Sequence, residues 1–364
     1  GVPLLLNTDF WIELGGAKGE VAEMAAEFIR WTAFALPASL LGRCFIALNA
    51  AVSRPRITMW VSLGMLALKA PLNAVFMYGW LGFPAMGGGG AGISFFVLSW
   101  LSLFAFLAIW KFDKFYRPMH VEKFVGPRWE LLKNHLHVGV PMGLSTFFEV
   151  SSFTLMAIFI SRLGEETVSA HQIVANLTSM LYMVPLSLGI ASSVLISQSL
   201  GARWPAVAEF ILRRTLKISI VIAAVLATLL YIFKGNVIAL YTSDAGVAAT
   251  AAALVAFGCT YHVFDAMQAV SSFALRGYRV TRAPMFIYGI MLWGVGIGIG
   301  YQLAFGAEWA GGPYGAFGFW GATAVGLILT GLSLLAMALW VGRQRSRDEH
   351  HSPEEVERVI REAR

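Results

Sequence analysis

Charge is scarce in this sequence. Asp, Glu, Lys and Arg supply 13% of its 364 residues, roughly half of what a soluble domain carries. With a hydrophobic share of 57%, that shortage excludes an ordinary water-soluble fold. Cysteine is nearly absent. Cys44 and Cys259 both fall in apolar runs, read as core thiols, and are too few for a disulfide framework. No GxSxG, HExxH or GxxxxGK[ST] segment occurs, so the motif support for an enzyme is missing. The run Gly87–Gly90 has no Lys or Ser after it and reads as a flexible loop. The alternation of about ten residues per strand that marks a membrane barrel is missing too. No signal peptide is visible. The chain opens on Gly-Val-Pro rather than Met, and its true start is expected to lie upstream.

What the sequence has is long apolar runs. Ile218–Phe233 and Val325–Val341 contain no charge. A bilayer core needs about 20 apolar residues per helix. Nine such spans lie roughly at 26–50, 57–80, 91–110, 138–161, 168–198, 211–233, 247–274, 284–305 and 316–341. Residues 2–11 read as the end of a further helix. The net charge of +6 does not point to nucleic acid, because its distribution follows the loops. Arg54 and Arg56, the stretch from Lys111 to Lys133, Arg203 to Lys217, Arg276 to Arg282 and the tail from Arg343 alternate with loops holding Glu165, Glu166, Asp244 and Glu308. This is the positive-inside asymmetry, and it places the central linker and the C-terminal tail in the cytoplasm. In the tail, Glu354–Arg364 reads as a short surface helix, and His350-His351 as solvated rather than metal-binding.

The two halves repeat. Ala47-Leu48, a basic loop, Met59, a span, a Gly-rich loop and Ala91 recur as Ala274-Leu275, a basic loop, Met285, a span, a Gly-rich loop and Ala316, offset by about 225–227 residues. The expected fold is an all-α integral membrane protein of two six-helix bundles related by a parallel pseudo-two-fold repeat. The first copy then starts about ninety residues before Gly1, so two to three helices are absent from this chain. The expected organisation is the remainder of an N-terminal bundle over 1–112, a cytoplasmic linker over 113–136, a C-terminal six-helix bundle over 137–342 and a cytoplasmic tail over 343–364.

Ionisable residues within spans are expensive and mark function. Glu149 lies twelve residues past His137, roughly 18 Å deep, and Asp265 eleven before Arg276, roughly 16–17 Å deep. Both therefore reach the midplane. Tyr261, Asp265, Gln268 and Ser272 form one polar stripe at helical spacing, Ser145, Glu149 and Ser152 a second, and Gln172, Asn176 and Ser179 a third,. The three are expected to line a small polar cavity inside the C-terminal bundle. Carboxyl groups kept from water hold protons more tightly, and when ionised they bind Na⁺ with Tyr, Asn and Gln oxygens. The bland alternative is a structural pair bonded to neighbouring helices. Lys69, with Asn73 one turn on, and Arg43 also come near mid-depth. They either face acids across the cavity or bond to helix carbonyls. His171 reads as facing the interface and His262 as tuning Asp265. Neither makes a metal site. Pro141 and Pro185 are expected to kink their helices.

The segment from Gly139 to Ala202, together with YHVFDAMQAVSSFALRGYR at 261–279, APLNAVFMYG at 70–79 and GAFGFW at 315–320, resembles the MATE family of multidrug and toxic compound extrusion transporters, in its NorM-type bacterial branch. The resemblance covers essentially the whole chain. It implies a twelve-helix exporter of the bacterial inner membrane, expelling cationic, often aromatic drugs in exchange for Na⁺ or H⁺. It carries over a cation site at Glu149, Asp265 and Tyr261, and cavity positions at Gln172 and Asn176. Lys69 stands where members of that branch often carry Asn, which sets this chain's first half apart. No cofactor beyond the coupling ion, no nucleic acid and a monomer among membrane lipids are expected. A related flippase for lipid-linked sugars would favour a more basic cavity, and Arg43 with Lys69 lean that way.

Overall fold

Proline and glycine set several of the helix ends. Pro55 opens α4 (Pro55–Tyr78) and Pro205 opens α8 (Pro205–Ala239), where a missing N–H costs nothing. Gly79, at φ 76°, closes α4 in the left-handed conformation,. Asp244 caps α9 (Ala245–Gly277), its Oδ1 accepting from the Val247 N–H at 2.9 Å,. The computed structural model describes residues 2–15, 19–119, 126, 128–306, 309, 311–348, 355 and 358. Its other helices are α1 (Val2–Leu6), α2 (Thr8–Gly15), α3 (Glu20–Ala51), α5 (Gly87–Phe112), α6 (Trp129–Ile160), α7 (Glu165–Gly201), α10 (Arg282–Tyr288), α11 (Gly300–Phe305) and α12 (Gly315–Asp348), with a π-helical stretch over Gly289–Ile299. Among the described residues, nine helices are long and apolar enough to cross a membrane, matching the nine expected spans. The protein is a multi-pass helical membrane protein.

Three boundaries differ from the sequence reading. Residues 2–15 form two short helices broken at Asn7 rather than one helix end. α6 begins at Trp129, inside the stretch read as linker, and α12 runs on to Asp348, beyond residue 342. Polar residues continue a helix past the bilayer when nothing breaks it. The glycine run differs as well. Gly87–Gly90 is the first turn of α5, not a loop. A Cβ on Gly90 would fall 2.2 Å from the Phe76 carbonyl, so these glycines serve close helix packing. His350, His351 and, apart from residues 355 and 358, the tail helix expected over 354–364 lie outside the described residues, as do most of residues 120–127.

The chain divides into two units, Gly1–Gly126 and Pro127–Arg364. In the first, α3 packs chiefly on α5, and α4 packs on α5. In the second, α9 packs on α12, and the α10–π–α11 segment packs on α12. The repeat seen in the sequence is thus a repeat of packing order. α9 and α12 are the most enclosed helices, with 44% of their apolar windows buried, against 6% for α4. On α8, Ile218, Val221, Val225, Leu229 and Ile232 form one exposed apolar stripe, the face a helix turns to lipid.

The loops of the first unit are pinned at one end. Arg54 Nη1 lies 2.6 Å from Asp113 Oδ2, and its guanidinium stands 4.5 Å from the Phe115 ring centroid. Asp113 Oδ1 accepts from the Phe115 N–H at 3.0 Å. That N–H, then Arg54, hold the Asp113 carboxyl below its ordinary range. Beside them, Tyr116 Oη donates to the buried Asn49 Oδ1 at 2.5 Å. Tyr116→Phe leaves Asn49 without its donor and is expected to cost about 1–2 kcal/mol, read by thermal unfolding in detergent. A lowered carboxyl contributes stability above its unfolded pKa, about 3.9, and loses it as pH falls through the folded value. Asp113→Asn is therefore expected to unfold earlier than the parent at neutral pH and level with it in acid below that value. Equal unfolding at both would remove the ion pair from the account.

Candidate cation site

Four helices of the second unit bring a polar cluster together in an apolar setting. α6 contributes Glu149, α7 contributes Tyr182, α9 contributes Tyr261, Asp265 and Gln268, and α10 contributes Tyr288. Tyr182 Oη donates to Glu149 Oε1 at 2.9 Å. Gln268 Nε2 donates to the same oxygen at 3.1 Å and to Tyr288 Oη at 2.5 Å. Half-buried Glu149 is therefore tied to two neighbouring helices through one oxygen. The fully buried Gln268 leaves its Oε1 without a partner, which follows from turning its amide donors toward the carboxylate.

Asp265 is held differently. It is 8% exposed, and no hydrogen bond reaches its carboxyl among the described residues. It lies close enough to Glu149 to feel that charge, and the Tyr182 hydroxyl feels both. One turn earlier, Tyr261 is buried with its ring stacked on Trp320, centroids 6.1 Å apart. Two unlike carboxyls thus share one region. One is anchored by donors, and the other is buried with no donor among the described residues.

Not every polar stripe joins in. Ser145 and Ser152 are buried but bond back to the carbonyls of Pro141 and Glu149 on their own helix. Gln172, Asn176 and Ser179 lie on an exposed face of α7, and Asn176 Oδ1 accepts from Tyr241 Oη at 3.0 Å. Of the three polar faces expected to line one interior cavity, those of α6 and α9 meet at Glu149 and Gln268, and that of α7 lies exposed. The α7 stripe fails because its spacing fixes a face but not which way that face turns. Lys69 and Arg43 are exposed and Asn73 half-buried within the first unit. Neither cation makes an ion pair or a carbonyl bond among the described residues. His171 is 3% exposed and packs edge-on against Trp320 at 5.7 Å, so it belongs to the core and not to an interface. His262 makes no bond to Asp265. Cys44 and Cys259 are free thiols.

Tyr182 and Tyr288 were not singled out in the sequence. The available signal was chemical: a tyrosine deep in an apolar span needs a partner for its hydroxyl. An open apolar groove of about 510 Å³, lined by none of the cluster residues, runs along α6 past Gly143, Phe147, Val150 and Thr154. It is floored by Trp293 of the π-helical stretch, whose ring lies 6.1 Å from that of Phe147.

Comparison with known proteins agrees with this architecture. The MatE family model matches residues 141–302. The "Probable multidrug resistance protein NorM" of Aromatoleum aromaticum is 39% identical over 330 residues, covering 90% of this chain and 71% of its own. That of Neisseria meningitidis serogroup B is 35% identical over 314 residues, covering 85% and 67%. Among solved structures, the eukaryotic MATE transporter AtDTX14 superposes with a TM-score of 0.81 at 20% identity, over 95% of this chain and 77% of that one. The Vibrio cholerae MATE transporter VcmN in its bent form superposes at 0.76 and 14% identity, over 94% and 75%.

Donor loss at Glu149 is measurable. Tyr182→Phe removes a hydrogen bond to a charged acceptor and is expected to cost about 1.5–3 kcal/mol. Gln268→Leu removes two bonds but also an unpaired buried carbonyl, so its cost is expected to be smaller. Thermal unfolding of the two variants in detergent decides it. The reverse ranking would show that Gln268, not Tyr182, anchors the carboxylate.

Proposed function

The chain belongs to the MATE family, and from that premise we propose that it is a secondary active multidrug efflux antiporter. It exports cationic, often aromatic compounds in exchange for Na⁺ or H⁺ held at Glu149 and Asp265, with Tyr261 one turn away. It is a transporter, not an enzyme. Its setting is the bacterial inner membrane, with linker and tail cytoplasmic, and it works as a monomer.

One observation carries this reading. Asp265 is a buried carboxyl with no donor, next to a second carboxyl. Burying an unpaired charge costs several kcal/mol, and a bound proton or Na⁺ relieves it. Na⁺ is a hard cation suited to carboxylate and hydroxyl oxygens, and the site offers both. Two adjacent negative charges also attract an organic cation. Ion and drug compete for the same charge, so loading one weakens the other, and by linkage the reverse holds equally. Gln172 and Asn176, on the exposed face of α7, and Lys69 and Asn73, in the first unit, stand outside the proposed cation site. Lys69 and Arg43 are the features that favour the lipid-linked-sugar flippase, and nothing near Asp265 adds to them.

Glu149→Gln and Asp265→Asn are each expected to abolish drug efflux from cells while membrane insertion stays intact. Full drug resistance in cells carrying either variant would remove that carboxyl from coupling. In vesicles, uptake driven by a Na⁺ gradient, a pH gradient, or neither separates the two ions and exposes a passive pore.

A further inference from the structure

His262 is fully buried on α9, and neither ring nitrogen has a partner. A neutral imidazole carries one N–H donor, and a buried donor without an acceptor is costly enough to be rare. Such a residue is explained if its bond is made in another arrangement of the helices.

The register between α7 and α9 shows where that bond lies. A Cβ on Gly258 would stand 2.8 Å from Thr178 Cγ2, and one on Gly189 would stand 3.2 Å from the Ala269 carbonyl. Ser197 Oγ donates to the Gly277 carbonyl at 3.4 Å. Each pair is 80 residues apart, so the two helices run parallel in a constant register, and His262 is level with Tyr182. At about 100° per residue, His262 projects between Gly258 and Phe273, both of which face α7. Helical side chains lean toward the N-terminus, which brings the imidazole to the level of Leu181.

Leu181 is the residue whose carbonyl loses its usual i+4 donor in α7. Four residues on stands Pro185, buried within α7. Proline has no N–H, so the Leu181 carbonyl lacks its helical donor, and the helix is predisposed to bend there. A donor without an acceptor and a carbonyl without its i+4 donor therefore sit at the same level of the α7–α9 interface, and no bond joins them here.

We propose that His262 is a positioning residue that captures the Leu181 carbonyl when α7 bends at Pro185, and that this latch moves Tyr182 relative to Glu149. Tyr182 follows Leu181 directly and holds the Glu149 carboxylate, so a bend at this turn repositions a donor to the cation site. The consequence for transport rests on the antiport reading above; the latch itself does not.

The test uses the full chain with His262→Leu, His262→Gln, Pro185→Ala and the double variant His262→Leu with Pro185→Ala. Hydrogen exchange of the α7 amides over 182–189 reports the bend, and drug efflux reports its use. His262→Leu and Pro185→Ala are each expected to slow that exchange by about fivefold, the worth of one hydrogen bond, and the double variant no further. His262→Gln, which retains a donor, is expected to exchange closer to the parent than His262→Leu does. His262→Leu is also expected to melt no lower than the parent, since it removes an unpaired polar group. Unchanged exchange in His262→Leu or in Pro185→Ala, or effects that add in the double variant, would overturn the latch. A parent that exports no drug would sink the antiport reading, and the exchange results would still decide the latch. Slowed exchange with undiminished efflux would show a hinge that transport does not use and would overturn the positioning role.

Discussion

Asp265 places a carboxyl in the packed middle of a helix bundle, where an ionised group would be costly, and finds no donor there among the described residues. The cost of that placement, several kcal/mol after protein relaxation, is large beside the 5–15 kcal/mol by which a typical domain is stable at all. A fold tolerates it only if something neutralises the charge. Glu149, on α6, shows the alternative: a carboxyl of the same chemistry, steadied by Tyr182 and by Gln268, itself bonded to Tyr288. The contrast separates a carboxyl held by donors from one left open to a mobile partner. It is also why the cluster reads as a site rather than as a buried network.

Holding Asp265 in place falls to α9. Inside a bilayer there is no hydrophobic force to press helices together, and close packing between small residues does that work. Gly258 lets Thr178 of α7 approach, Gly331 of α12 sits against the Phe264 carbonyl, and Gly189 of α7 sits against Ala269. One turn before Asp265, Tyr261 stacks on Trp320, which His171 meets edge-on. α9 is therefore closely packed on both α7 and α12 around the turn that carries the carboxyl.

Much of this was legible in the sequence because the bilayer imposes a coarse rule. A span must be long, apolar and bounded by polar breaks, so nine spans and the repeat between halves could be counted directly. A common level was also readable, because a helix rises 1.5 Å per residue: Glu149 and Asp265 count to similar depths, and the structure brings them into one cluster. Azimuth was not. The stripe Gln172–Asn176–Ser179 obeys helical spacing as well as Tyr261–Asp265–Gln268 does, yet it faces outward, because neighbours rather than spacing decide which face turns inward. Tyr182 and Tyr288 were missed for the converse reason: each stands alone on its helix and joins the site only through residues far away in sequence. Gly87–Gly90 was misread because a glycine run has the same composition in a loop and in a tight helix contact.

Exchange of an ion for a drug requires more than competition for one charge. A ligand shifts a conformational equilibrium only by the difference in its affinity for the two states, so some element must sense whether the carboxyls are occupied and change position accordingly. α6 and α9 carry the charges themselves. α7 carries none at this level, but its Tyr182 hydroxyl lies within the field of both carboxyls and bonds to one of them. Neutralising Asp265 alters what that hydroxyl feels while leaving its bond to Glu149 available. The same turn of α7 precedes a proline that weakens the helix there. A contact that reads charge, placed next to the weakest point of its own helix, is the arrangement by which a local neutralisation becomes a change of shape.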